Sequence, residues 1–212
     1  MASPYDRKSN SQWPAITQRL VEAHPLRTEE LVDVVQYCWG SIFKSSFGHK
    51  KFKIGKEIFP KPQIMGFLLH ELIPLELAAR HPKNWRGDLV GSEKDIVYLP
   101  DDRFSIEVKT SSHGSGVFGN RSYAQVTESK TKKAKSGYFL TVNFESCTSD
   151  NPTPELKLIK FGWLDSTDWI GQKAQSGQQS HLSPEVKKLK FVEVYRKIKA
   201  AKTGPSNSRA RS

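Results

Sequence analysis

The run FSIEVKT at residues 104–110 carries an acid and a lysine two positions apart, Glu107 and Lys109. Side chains alternate across a strand, so this pair shares one face. The spacing alone says little, because about two acid-x-Lys tripeptides are expected at ordinary residue frequencies in a chain of this length, and this one holds five. The other four are Asp6/Lys8, Glu128/Lys130, Glu155/Lys157 and Glu185/Lys187. Only Glu107 and Lys109 lie inside a strongly alternating strand with a third group opposite. DIVYL at 95–99 and FSIEVKT flank a Pro-Asp-Asp-Arg turn, which predicts a hairpin. Placing the apolar faces together pairs Ile96 with Ile106 and Tyr98 with Phe104, and that register sets Asp95 opposite Glu107. Two carboxylates and an ammonium on one polar face could hold a hard cation such as Mg²⁺ for phosphodiester hydrolysis, with Lys109 positioning or helping to deprotonate a water. They could equally be the solvated Glu/Lys ladder of a surface hairpin.

Charge narrows the classes. The chain has 33 Lys and Arg against 22 Asp and Glu, a net charge of +11. Residues 1–106 hold 15 basic and 13 acidic groups, net +2, so 107–212 hold 18 and 9, net +9. Basic residues concentrate at Lys44–Lys61, at Lys130, Lys132, Lys133 and Lys135, and from Lys187 onward. Such clusters fit a polyanion, nucleic acid first, because each phosphate contact releases condensed counterions; they also fit a surface that merely keeps the protein soluble. At 36% apolar residues the chain is too hydrophobic for a disordered polycation. No apolar run is long enough to span a membrane, and the first 20 residues lack a signal peptide's apolar centre, so the expected location is the cytoplasm. Cys38 and Cys147 lie far apart without metal-ligand spacing.

The elements that position the tripeptide read as one domain over 11–200. Residues 1–10 have the composition of a disordered terminus and 201–212 that of a basic flexible tail. Pro14 and His24-Pro25 bracket a first helix. Thr28 is the expected N-cap of a second, with Leu31, Val34, Val35, Cys38 and Ile42 on its buried face. QIMGFLLHELI reads as a third helix, apolar on nearly all sides and therefore buried, ending before Pro74. After the hairpin come a Ser/Gly loop, a short helix around SYAQVTESKTKKA, strands GYFLTVNFE and LKLIKFGWL, a further loop, and the alternating segment KLKFVEVY.

The stretch from Trp85 to Glu145, with KDIV, IEVKTSS, GNRSYAQ and KSGYFLTVNFE, resembles the PD-(D/E)XK nuclease superfamily and, within it, type II restriction endonucleases of the ScaI type. The resemblance implies an α/β fold with a restriction-endonuclease-like core, a mixed central sheet flanked by helices. It implies a Mg²⁺-dependent endodeoxyribonuclease acting as a homodimer on double-stranded DNA in a prokaryotic cytoplasm, with a cognate DNA methyltransferase as genetic partner. Its target would be AGTACT, cut to blunt ends. Asp95 and Glu107 match the metal-binding acids and Lys109 the catalytic lysine. Glu71 matches an acid that some members carry on a preceding helix, and Gln125 a polar residue on the following one. Lys94 stands where the superfamily name has proline, which keeps Asp88 as an alternative first acid. Ser111, Ser112, His113, Asn120, Arg121 and Tyr123, in and after the loop that follows the active strand, are expected to contact DNA, and Lys130, Lys132, Lys133 and Lys135 to meet phosphates. The same fold and acids would also serve a repair or Holliday-junction nuclease, and the same charge a non-catalytic DNA-binding protein.

Overall fold

A computed structural model describes residues 3–124, 134–173 and 177–198. Three helices come first: α1 (Trp13–Glu22), α2 (Thr28–Lys44) and α3 (Pro62–Arg80). The strands are β1 (Trp85–Gly87), β2 (Ile96–Tyr98), β3 (Ile106–Ser111), β4 (Phe118–Asn120), β5 (Gly137–Phe144), β6 (Leu156–Leu164), β7 (Trp169–Gly171), β8 (Gln179–Leu182) and β9 (Phe191–Arg196). A short helix, α4 (Pro184–Leu189), precedes β9. Six strands form one sheet in the order β1-β2-β3-β5-β6-β9, and β4-β8-β7 form a small second sheet. The pairing of β3 with β5 is parallel and every other pairing in the large sheet is antiparallel, which makes that sheet mixed.

All eight residues of β5 are buried, because both its faces are covered. Tyr138, Leu140, Val142 and Phe144 join the main core, where they meet Leu31, Val34, Val35, Cys38 and Ile42 of α2 and Met65, Leu69 and Ile73 of α3. Phe139, on the opposite face, joins a second cluster with Tyr123, Leu164, Trp169 and Leu182. The same division runs through β3: Ile106 and Val108 belong to the main core, which turns Glu107 and Lys109 toward the side of the small sheet.

Several sequence expectations meet a different structure. Tyr5 is buried, sharing a hydrogen bond of 2.9 Å with Thr17 and packing edge-on to Trp13, so the segment expected to be disordered is anchored at Tyr5, while residues 6–10 lie exposed on the surface. The N-cap of α2 is Arg27 rather than Thr28. Helix α3 does not stop before Pro74 but continues to Arg80, because buried Ile73, Pro74 and Leu77 hold its second half against the core. Nor is α3 buried all round: Ile64, Phe67, Glu71 and Leu75 lie on its exposed side. The short helix expected from Ser122 begins as a 3₁₀ turn, Arg121–Ala124; the remainder lies outside the described residues, as does the tail 201–212. No described helix is long and apolar enough to cross a membrane.

Candidate active site

The hairpin register is the expected one at its critical pair, Ile96 opposite Ile106. Beyond it the strands separate, and Phe104 sits in a 3₁₀ turn (Asp102–Phe104) whose ring still meets Tyr98 edge-on. Where the ladder stops, the Asp95 carboxylate substitutes for it. Its Oδ2 accepts the backbone N–H of Val108 at 2.7 Å, the residue between Glu107 and Lys109. From α3, His70 approaches the same oxygen, with Nδ1 at 3.5 Å.

Glu107 is only 2% exposed. A carboxylate so placed needs donors, and two converge on its Oε1: the Lys109 ammonium at 2.7 Å and the Tyr123 hydroxyl at 2.5 Å. The ammonium also lies 4.6 Å from the centre of the Tyr123 ring. Burial, together with the charges of Glu107 and Asp95, raises the Tyr123 pKa well above that of a free phenol, so the hydroxyl keeps its proton and acts as a donor.

A cleft of about 560 Å³ opens beside these groups, lined by Gln63, Phe67 and His70 of α3, by Thr110, Ser111, Ser112 and His113, and by Phe118 and Gln179 of the small sheet. Its loop wall is pinned from below by Asn143, whose amide donates to the carbonyls of His113 and Gly116 at 2.8 and 2.9 Å. In the small sheet Asn120 stands opposite Gln179 and Phe118 opposite His181, and all four are exposed on one face. Gly119 and Ser180 turn inward.

The structure thus gathers Asp95, Glu107 and Lys109 around one strand and sets Ser111, Ser112 and His113 on the adjoining cleft. Arg121 is tied to the β8 side of the sheet, with a guanidinium N–H donating to the Gly177 carbonyl at 2.9 Å. Tyr123, expected to face DNA, is instead 9% exposed with its hydroxyl directed at Glu107; the packing of the small sheet over its ring turns it inward. Glu71 is exposed on α3, and it is His70, one position earlier, that faces Asp95. Asp88 is exposed, whereas Lys94 is buried and donates to the Ala134 carbonyl. Lys135 is half-buried and donates to the Ser122 carbonyl. Gln125, Lys130, Lys132 and Lys133 lie outside the described residues. Sequence reasoning missed His70, Gln63, Gln179 and His181; for the last two the only signal was the weak alternation of QSHL. Of the other acid-x-Lys tripeptides, Glu155 pairs with Lys197 at the surface and Glu185 accepts from Asn10 at 2.7 Å.

Comparison with known proteins places these residues in a family. A type II restriction enzyme, ScaI of Streptomyces caespitosus, is 50% identical over 195 residues, which cover 91% of this chain and 85% of the relative. No solved structure matches the chain. The model of the ScaI restriction endonuclease family matches residues 3–195, nearly the whole chain, and the protein belongs to that family.

Proposed function

We propose that the protein is a type II restriction endonuclease of the PD-(D/E)XK kind, cutting double-stranded DNA site-specifically with Mg²⁺. The observation that carries this reading is the grouping of Asp95, Glu107 and Lys109 at the end of the β2–β3 ladder beside an open cleft. The donor set fits the cation. Among the described residues no three His, Cys, Asp or Glu side chains gather into a metal cage, and Mg²⁺ favours a site of one or two carboxylates completed by water and phosphate. Asp95 and Glu107 would hold it. When bound, the cation offsets the negative charge that develops on the phosphate and lowers the pKa of a coordinated water. The protein's own part is positional. The Val108 N–H and His70 hold the Asp95 carboxylate, while Lys109 steadies Glu107 and orients the attacking water.

Ser111, Ser112 and His113 would lead the sugar-phosphate backbone along the cleft. A two-stranded ribbon fits the major groove, and the neutral amides of Asn120 and Gln179 suit bidentate contact with adenine. Arg121, Lys135 and the lysines at 130, 132 and 133 would add phosphate contacts. Cutting both strands of a palindrome requires two sites related by a two-fold axis, which one chain of this size supplies as a homodimer. The cell that makes it would protect its own sites with a DNA methyltransferase.

Digestion of plasmid DNA tests the reading. Discrete fragments with blunt ends at AGTACT, dependent on Mg²⁺, are expected. Cutting confined to branched DNA would move the protein to a junction nuclease, and retardation without cutting would remove the catalytic role.

A further inference from the structure

Tyr123 joins two parts of the molecule that the nuclease reading treats separately. It lies three residues beyond β4, in the 3₁₀ turn Arg121–Ala124, and its hydroxyl donates to Glu107 Oε1. Lys109 reaches the same oxygen on a flexible four-carbon stem. The phenol is rigid, so of the two donors it is the one that fixes how the carboxylate is turned.

The Tyr123 ring is in turn set by the small sheet. Its centroid is 4.8 Å from that of Trp169 in β7. Gly119 of β4 faces it so closely that a Cβ there would stand 3.1 Å from a Tyr123 ring carbon and 3.0 Å from both Trp169 and the Ser180 hydroxyl. The strand backbone therefore rests on the ring with no side chain between them. The other face of the same β4–β8 ribbon presents Asn120 and Gln179.

We propose that Tyr123 is a positioning residue that couples DNA reading to cleavage: the ribbon that faces DNA seats the Tyr123 ring, and the Tyr123 hydroxyl sets the Glu107 carboxylate. The inference rests on the nuclease reading above. A shift of the ribbon on a poorly matched sequence would reach the catalytic acid through one side chain.

Full-length Tyr123→Phe keeps the ring and removes the hydroxyl. Its kcat should fall about 10- to 100-fold, the usual cost of losing a group that orients a metal-binding carboxylate. KM and affinity for a duplex measured without metal should stay at wild-type values, and the melting temperature should fall by no more than the loss of one buried hydrogen bond brings. Tyr138→Phe loses another buried tyrosine hydroxyl, one that donates to the Leu20 carbonyl at 3.1 Å, and should leave kcat unchanged. Gly119→Ala pushes on the ring, so it should lower kcat in the wild-type background and add nothing in the Tyr123→Phe background, the non-additivity expected of groups acting in series. Wild-type kcat in Tyr123→Phe, or a loss confined to KM or to folding, would overturn the positioning role. Independent, additive losses from Gly119→Ala and Tyr123→Phe would overturn the coupling. A wild-type protein that cuts no duplex would instead overturn the nuclease reading, so the two failures are distinguishable.

Discussion

Two lysines in this protein have nearly the same surroundings. Lys190 lies between Asp165 and Asp168 with the rings of Tyr5 and Trp13 at 4.3 and 4.5 Å from its ammonium. Lys109 pairs with Glu107 over the ring of Tyr123, and the backbone N–H of the preceding Val108 donates to Asp95. Each is an ammonium paired with carboxylate beside an aromatic face. The first cluster is closed: Lys190 is 2% exposed, and its three N–H donors meet three carboxylate contacts, each at 2.8 Å. Burial there outweighs the lysine and raises the pKa of Asp168. The second cluster is open. The Lys109 side chain keeps 14% of its exposure against 3% for that of Lys190, and Asp95 accepts a backbone N–H. Similar parts make a staple in one place and, beside the cleft that His70 and Thr110 line, a candidate catalytic centre in the other.

The comparison can be broken most directly at the open cluster. Glu107→Gln should lower single-turnover cleavage at saturating Mg²⁺ by about 10³-fold, the equivalent of the several kcal/mol that a metal supplies in the transition state. Glu155→Gln, in an acid-x-Lys tripeptide paired with Lys197 at the surface, should cut at the wild-type rate; equal losses in both would remove the distinction. At the closed cluster, Lys190→Met should destabilise the fold by about 3 kcal/mol in urea titrations, because the buried Asp168 and the half-buried Asp165 lose their partner. Cleavage per folded molecule should persist. A stable Lys190→Met that no longer cuts would reverse the two assignments.

Acid sensitivity should arise first at neither cluster but at His24. This ring is buried among Trp85, Phe104, Tyr138 and Phe161, and desolvation lowers its pKa to about 4 from 6.5. The unfolded chain therefore takes up the proton first as pH falls. The stability that neutral His24 preserves is complete above about pH 6.5 and should decline by roughly 3 kcal/mol on going down to pH 4. Melting temperatures across this window check it, and a flat profile would contradict the burial. The smallest effect belongs to the rim of the open cluster. Asn120→Ala or Gln179→Ala should narrow discrimination between the target and a one-base variant by about 1–3 kcal/mol, read from ratios of kcat/KM.

Strand β3 was legible in the sequence because its two faces differ in kind, Ile106 and Val108 against Glu107 and Lys109, and the apolar pairs alone fix the register that places Asp95. Helix α3 was legible as a helix but not in its orientation. With apolar residues on nearly every side, its periodicity does not say which edge meets the sheet, so Glu71 stood out as the acid while His70 holds the position beside Asp95. In sequence Tyr123 follows a polar loop, a position that points to DNA; its contact with Glu107 spans 16 residues and depends on a small sheet whose β7 and β8 carry little pattern. The Lys190 cluster was invisible for a related reason, since Asp165, Asp168 and Lys190 converge only after β6 and β9 have paired.

The docking of Tyr5 also has a meaning in time. Its hydroxyl bonds to the Trp163 carbonyl at 3.3 Å, and its ring lies under the Lys190 ammonium. A ribosome adding roughly 5–20 residues per second makes residue 5 first and residue 163 on the order of 10 s later. Until then the segment around Tyr5 lacks the surface it binds, so this part of the core is sealed only when an early-made segment meets a later one, and a nascent chain that stalls before β6 exposes Trp13 and the apolar face of α1 to its surroundings.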